Sequence, residues 1–248
     1  MPKPFHISES IKVAPIFHPK VKLATPAKLT YRGGPLLQNV EVYTIFWGTA
    51  WSTTLSTLAK TINNFFTSIL PSTLVTQLSE YNVPKYKIGA GKLIGTTGIP
   101  TGLTKSLITD TQIQAQLNKW IKSTKGFPQP GPNTLYFIYL PTGVSVSMGG
   151  SKSCTSFCGY HNAIGQNIFY AVMPYPGCSG CRSTLSVTDA LTATSSHELC
   201  EAITDPIPGS GWYDDSNGEN GDICAWTFKQ LNGFNVQLEW SNAQNKCV

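Results

Sequence analysis

Ser186-Val187-Thr188-Asp189-Ala190-Leu191-Thr192-Ala193-Thr194-Ser195-Ser196-His197-Glu198-Leu199-Cys200-Glu201-Ala202-Ile203-Thr204-Asp205-Pro206 reads as one long helix with a marked start and stop. Ser186-x-x-Asp189 has the spacing of a capping box, and the residue before a proline is driven out of the helical region, so Asp205-Pro206 ends the run. Ala190, Ala193, Leu199, Cys200, Ala202 and Ile203 surround the axis instead of forming one stripe, which predicts a largely buried helix. His197 and Glu201, four residues apart, share a face, with Glu198 about 100° around the axis. Zinc peptidases of the His-Glu-x-x-His type use this arrangement: two ligands at i and i+4, and a glutamate as general base on a metal-bound water. Here glutamate replaces the second histidine. A carboxylate is a competent ligand for Zn²⁺ and suits harder cations such as Mn²⁺ or Ca²⁺. The reading assigns His197 and Glu201 to the metal and Glu198 to the base.

The surrounding charge pattern points the same way. From Ser183 to Phe228 there is no Lys or Arg, yet eight carboxylates occur: Asp189, Glu198, Glu201, Asp205, Asp214, Asp215, Glu219 and Asp222. Carboxylates that converge in a fold need a positive partner, and a bound ion supplies one. For a third ligand, Asp214 and Asp215 in Gly-Trp-Tyr-Asp-Asp come first, ahead of Asp205, Glu219, Asp222 and His161. Asp215, Asn217, Glu219 and Asp222, with turns at Gly218 and Gly221, also read as an oxygen-donor loop for Ca²⁺. His161 and the neighbouring Tyr160 are candidates for assisting an oxyanion.

Outward from the helix, Val40 to Trp47 is an aromatic and β-branched run that predicts a buried strand. Leu55, Leu58, Ile62, Phe65, Phe66 and Ile69 predict a helix over 53–69, stopped by Pro71. Further strands are expected over 86–94, 134–140 and 167–173, the last at a sheet edge, with two short ones over 222–226 and 234–240. A second helix, capped by Asp110-Thr111-Gln112, carries Ile113, Leu117, Trp120 and Ile121. Residues 31–248 are expected to form a single α/β domain: a mixed β-sheet packed by helices, with zincin-like metallopeptidase architecture and disulfide-stapled loops. Residues 1–30 are expected to be an extended arm.

Composition bounds the partners. The chain has 248 residues, 41% hydrophobic and 12% charged, with a formal net charge of +5. Arg32 and Arg182 are its only arginines and the lysines are dispersed, which argues against nucleic acid, where Arg forks and basic stripes dominate. No apolar run reaches the roughly 20 residues of a membrane span. Seven cysteines, Cys154, Cys158, Cys178, Cys181, Cys200, Cys224 and Cys247, suit an oxidising compartment. Local bridges 154–158 and 178–181 are expected, with Cys224–Cys247 tying down the C-terminus and Cys200 left as a buried thiol. Residues 1–20 lack the apolar stretch of a signal peptide, so secretion implies a signal removed ahead of this numbering or another export route.

Several motifs outside the helix carry a resemblance. They are Tyr31-x-Gly33-Gly34-Pro35, the strand Val42–Trp47, Cys158-Gly159-Tyr160-His161, Cys178-x-x-Cys181, and the run His197-Glu198, Ala202-x-Thr204-Asp205-Pro206, Trp212-Tyr213-Asp214-Asp215, Glu219-Asn220 and Asp222-x-Cys224-Ala225-Trp226. On these the sequence resembles the EXORDIUM / phosphate-induced protein family of plant extracellular proteins and its microbial relatives, over nearly all of the chain after residue 30. The resemblance implies an exported, extracellular or cell-wall protein, and the family's helix motif is similar to a His-Glu-x-x-Glu metallopeptidase site.

Two functions are therefore expected to compete. One is a secreted, monomeric, metal-dependent hydrolase, a zinc metallopeptidase acting on protein or peptide. The other is a non-catalytic extracellular module that binds cell-wall polysaccharide and holds a structural ion.

Overall fold

A computed structural model describes residues 14–16 and 26–248. Six strands form its central mixed sheet: β1 (Ala14–Pro15), β2 (Glu41–Trp47), β3 (Lys92–Ile99), β4 (Thr134–Tyr139), β5 (Phe157–Ile164) and β6 (Ile168–Met173). Their spatial order is β1-β5-β6-β4-β2-β3. The run β6-β4-β2-β3 is parallel, whereas β5 pairs antiparallel with both β6 and β1. The helices are α1 (Ser56–Ile69), α2 (Asp110–Ser123), α3 (Val187–Thr204) and the single turn α4 (Asn220–Ile223).

Strand alternation builds two cores. Val42, Phe46, Leu135, Phe137, Tyr139, Phe169, Ala171 and Met173 face one side, where they meet α1 and α3. Ile45, Tyr136, Ile138, Tyr170 and Val172 face the other, where they meet Ile113, Leu117, Trp120 and Ile121 of α2. β2 and β4 are buried on both faces, which is why they read as continuous apolar runs. Beyond α3 lies a hairpin, β7 (Phe228–Leu231) and β8 (Phe234–Gln237), so α3 is sandwiched between the sheet and the hairpin. That position explains a helix buried on nearly every side.

The helix expectation holds at both ends, with one refinement. Ser186 Oγ accepts from Asp189 N (3.0 Å), but the Asp189 carboxylate accepts from the Ser186 hydroxyl (2.7 Å), so the cap is one-sided. At α2 the capping box belongs to Thr109 and Gln112. Asp110, expected as the cap, instead turns inward, and its Oδ1 accepts from both Tyr160 Oη and Tyr170 Oη at 2.7 Å.

Other expectations are corrected. The strand expected over 86–94 is Lys92–Ile99. It begins where pairing with Glu41 begins, and its glycine and threonine content conceals the pattern. The 167–173 strand is interior, because β5, a strand not expected from the sequence, pairs along its outer side. Residues 220–223 are helical and the closing strands are Phe228–Leu231, Phe234–Gln237, Trp240–Ser241 and Lys246–Cys247.

The bridges Cys154–Cys178 and Cys158–Cys181 cross between two segments in place of the expected local pairs, while Cys224–Cys247 forms as expected. The Cys178–Cys181 turn lies against the start of β5, bringing each thiol to its partner on the other segment, with Cα atoms 5.8 and 5.3 Å apart. Cys200 is free and buried.

Of the expected N-terminal arm, Ala14–Pro15 join the sheet and Ala27 and Leu29 enter the core, while residues 1–13 and 17–25 lie outside the described part. Among the described residues, no helix is long and apolar enough to cross a membrane.

Tyr160→Phe removes one hydrogen bond to the Asp110 carboxylate on the sheet face opposite α3. It is expected to lower unfolding stability by about 1.5–3 kcal/mol, the range for bonds to charged groups, in urea titrations. A loss of function without loss of stability would contradict that placement.

Candidate functional site

The site forms where α3, β5 and the α4 turn meet. In β5 the register sets His161 opposite Ala171 and Tyr160 opposite Val172. Ala171 faces α3 and Val172 faces α2, so His161 points at α3 and Tyr160 points away from it. Tyr160 is thereby removed from the candidate catalytic group. Two residues earlier, Gly159 lets the helix come close: a Cβ there would lie 2.6 Å from Thr194 Cγ2 and 3.4 Å from Glu198 Oε1.

His161, Glu198 and Glu201 are fully buried and His197 is 1% exposed. His161 Nε2 lies 3.1 Å from the Asp205 carbonyl oxygen, and Nδ1 lies 3.0 Å from Glu198 Oε2 and 3.6 Å from Glu201 Oε2. A carbonyl only accepts, so Nε2 carries a proton and Nδ1 is the nitrogen that addresses the glutamates. On the far side of α3, the Gln237 amide nitrogen lies 2.7 Å from His197 Nδ1. His197 Nε2 is then directed at Glu201 Oε1, 3.1 Å away. Glu201 sits between the two imidazoles, and its Oε1 also accepts from Asp222 N at 3.0 Å.

The α4 turn supplies Glu219 and Asp222. Glu219 is fully buried, with Oε1 3.5 Å from His161 Nε2. Gly221 makes room for this approach, since a Cβ there would lie 2.8 Å from His197 Nδ1 and 2.9 Å from Glu201 Oε1. Among the described residues, two histidine–carboxylate groups have ligand atoms within 4.8 Å of one another: His161, Glu198 and Glu201, and His197, Glu201 and Asp222. Glu201 belongs to both. Cys154, Cys178 and Cys181 also cluster, but all three are in disulfides and offer no thiolate.

The leading candidates for a third ligand stand elsewhere. Asp214 accepts from the backbone of Lys28, Ser216 and Asn217 and braces its own loop. Asp215 is exposed and pairs with Arg32 at 2.7 Å. Asp205 accepts from the backbone of Gly209, Ser210 and Gly211, closing the turn after α3. The expected calcium donors separate for the same reasons: Asp215 faces Arg32, the Asn217 amide binds Asp214, and Glu219 and Asp222 turn into the α3 cluster.

Electrostatics define what the cluster lacks. His197 Nε2, Glu201 Oε2, and both oxygens of Glu219 are buried without a hydrogen bond. Like charges about 4 Å apart repel by roughly 4 kcal/mol at an effective dielectric of 20, and Glu198 and Glu201 bring oxygens within 4.8 Å. Burial opposes charge on His161, but Glu198, Glu201 and Asp205 outweigh it and raise its pKa. His197 is raised further, against its own burial, by Glu201 and Glu198. Burial, then the neighbouring carboxylates, pushes Glu219 well above the usual range. Glu201 is held below it by His197 and His161 despite burial. Glu239, a site neighbour not expected from the sequence, is also fully buried, and burial holds its proton well above the ordinary range.

No protein-family model matches the chain, and neither does any curated protein.

In the ion-free protein, His161, His197, Glu219 and Glu239 all bind their protons more tightly folded than unfolded. Their contribution is present below the ordinary values and is lost as pH rises through the raised ones. Glu201, lowered, is ionised in both states over this window and adds no slope. The Tm of chelator-treated protein is therefore expected to fall as pH rises from about 6.5; a flat or rising Tm would contradict the buried proton assignments.

Proposed function

We propose that this chain is a secreted metal-dependent hydrolase, a zinc metallopeptidase of His-Glu-x-x-Glu type related to the EXORDIUM / phosphate-induced proteins. The observation that carries the reading is the pair of orphaned buried atoms His197 Nε2 and Glu201 Oε2, in a cluster with which no described Lys or Arg forms an ion pair. Buried polar atoms without partners are costly, and a divalent cation among His197, Glu201 and Asp222 would satisfy them. The donor set of imidazole and carboxylate suits Zn²⁺ and also Mn²⁺. His197 and Glu201 would hold the ion, with Glu219 or Asp222 in the place first expected of Asp214 and Asp215.

When bound, such an ion polarises a carbonyl and acidifies a water. The protein's own residues supply the rest. Glu198, on the same helix but turned toward the sheet, accepts the water's proton at its carboxylate. His161, fixed through Nε2 by the Asp205 carbonyl, orients Glu198 through Nδ1. A proton on its ring would also favour an anionic intermediate nearby. Three disulfides fit an oxidising compartment and support export.

One observation favours the second reading, a cell-wall or carbohydrate-binding module with a structural ion: Glu198 is fully buried and both its oxygens are engaged.

Metal analysis of the purified protein, followed by assay on an unstructured protein, separates the two. Glu198→Gln is expected to keep the ion and the fold while lowering cleavage by about 10²-fold or more, the scale of general-base catalysis. Stabilisation by the ion with no chelator-sensitive cleavage would leave the structural-ion reading in its place.

A further inference from the structure

β5 carries His161 and would be the sheet's edge if β1 were absent. The strand occupying that edge comes from the distant N-terminal segment. Ala14 pairs with Gly159 and Pro15 with Phe157, antiparallel. Ala14 N donates to Glu198 Oε1 at 3.1 Å, and Trp226 Nε1 donates to Pro15 O at 3.0 Å. Because His161 takes Glu198 Oε2, both oxygens of the proposed base are spoken for, one by a main-chain amide of this segment. Beside the segment is a small apolar pocket that reaches His197 and is lined by Ala14, Leu185, Ala193, Trp226 and Phe228.

We infer that the β5 edge is a docking site for an extended peptide, and that Ala14–Pro15 is its resident occupant, closing the site over Glu198. The inference rests on the hydrolase reading only for what happens after docking. An incoming peptide pairs by main-chain hydrogen bonds, largely independent of its sequence, and places an apolar side chain in the pocket beside His197. The resident is suited to leaving. In its described part, Ala14–Pro15, the proline has no N–H for the ladder, and the two residues pair with Gly159 and Phe157 of an eight-residue strand. No other described strand pairs with that side of β5. A peptide with an amide at the position of Pro15 has a ladder donor there that the resident lacks.

The test uses the full chain, a synthetic peptide with the sequence of residues 10–18, and calorimetry, so that it reads docking without catalysis. Ala14→Asp places a carboxylate against Glu198 and is expected to expel the segment. The variant should then bind the peptide added in trans about ten-fold or more tightly than the native chain, whose competent fraction is reduced by its own segment. A melting curve checks that the variant folds. Ala14→Glu, which carries the same charge on a longer side chain and leaves the docking edge and its pocket otherwise intact, is the second route to the same release. Equal binding by native and released chains, or binding by neither, overturns the inference whatever the hydrolytic activity. Tighter binding by the released chains supports it, with or without cleavage. If cleavage of an unstructured protein rises in parallel, the hydrolase reading is supported as well; if docking is restored and no cleavage follows, that reading fails and the docking site stands.

Discussion

Carboxylates that leave water must find positive charge, and the centre of this protein is organised around that requirement. Glu198, Glu201, Glu219 and Glu239 are fully buried, and among the described residues no Lys or Arg forms an ion pair with them. The two imidazoles, His161 and His197, stand at 3.0 to 3.6 Å from the nearest glutamate oxygens. In the ion-free state burial opposes charge on both imidazoles, and the neighbouring glutamates raise their pKa against it. A divalent ion held by His197, Glu201 and Asp222, as proposed, would perform the same electrostatic task.

That requirement constrains the packing around it. α3 is covered on one side by the sheet and on the other by the β7–β8 hairpin, so its two chemically distinct faces address different layers. Glu198 meets the sheet at His161, His197 meets the hairpin at Gln237, and Glu201 lies between them. Gly159 and Gly221 permit the close approach from either side. Polar side chains along the helix are matched to this environment: Ser195 bonds to Tyr139 of the sheet, and Thr192 and Ser196 bond to the hairpin. These buried hydroxyls are tolerated because each has a specified partner.

The legible part of the sequence was the local part. The limits of α3, the apolar periodicity of α1 and α2, and the runs Glu41–Trp47 and Thr134–Tyr139 follow from caps, proline and side-chain spacing, all interactions within a few residues. β5 was not legible, because Cys158-Gly159 and flanking polar residues interrupt its alternation and its character comes from pairing with β6. Misreading it as a loop cost the correct face for Tyr160: adjacent strand residues point oppositely, so His161 and Tyr160 cannot share a site. The acidic loop misled in a related way. Asp214, Asp215 and Asp222 look alike in sequence, yet backbone amides take the first, Arg32 takes the second, and only the third turns toward α3.

By itself, the sequence determined that His197, Glu201 and Glu198 project from one buried helix at fixed angular spacing, because helical geometry depends on nothing beyond the helix. It also determined that the carboxylates nearby outnumber any local cation. Only the tertiary structure decided which carboxylates converge, that His161 enters from a neighbouring strand, that the cysteines of two segments pair crosswise, and that Ala14 reaches Glu198 across the chain. Those outcomes depend on strand register and on the approach of segments distant in sequence, which short-range spacing does not encode.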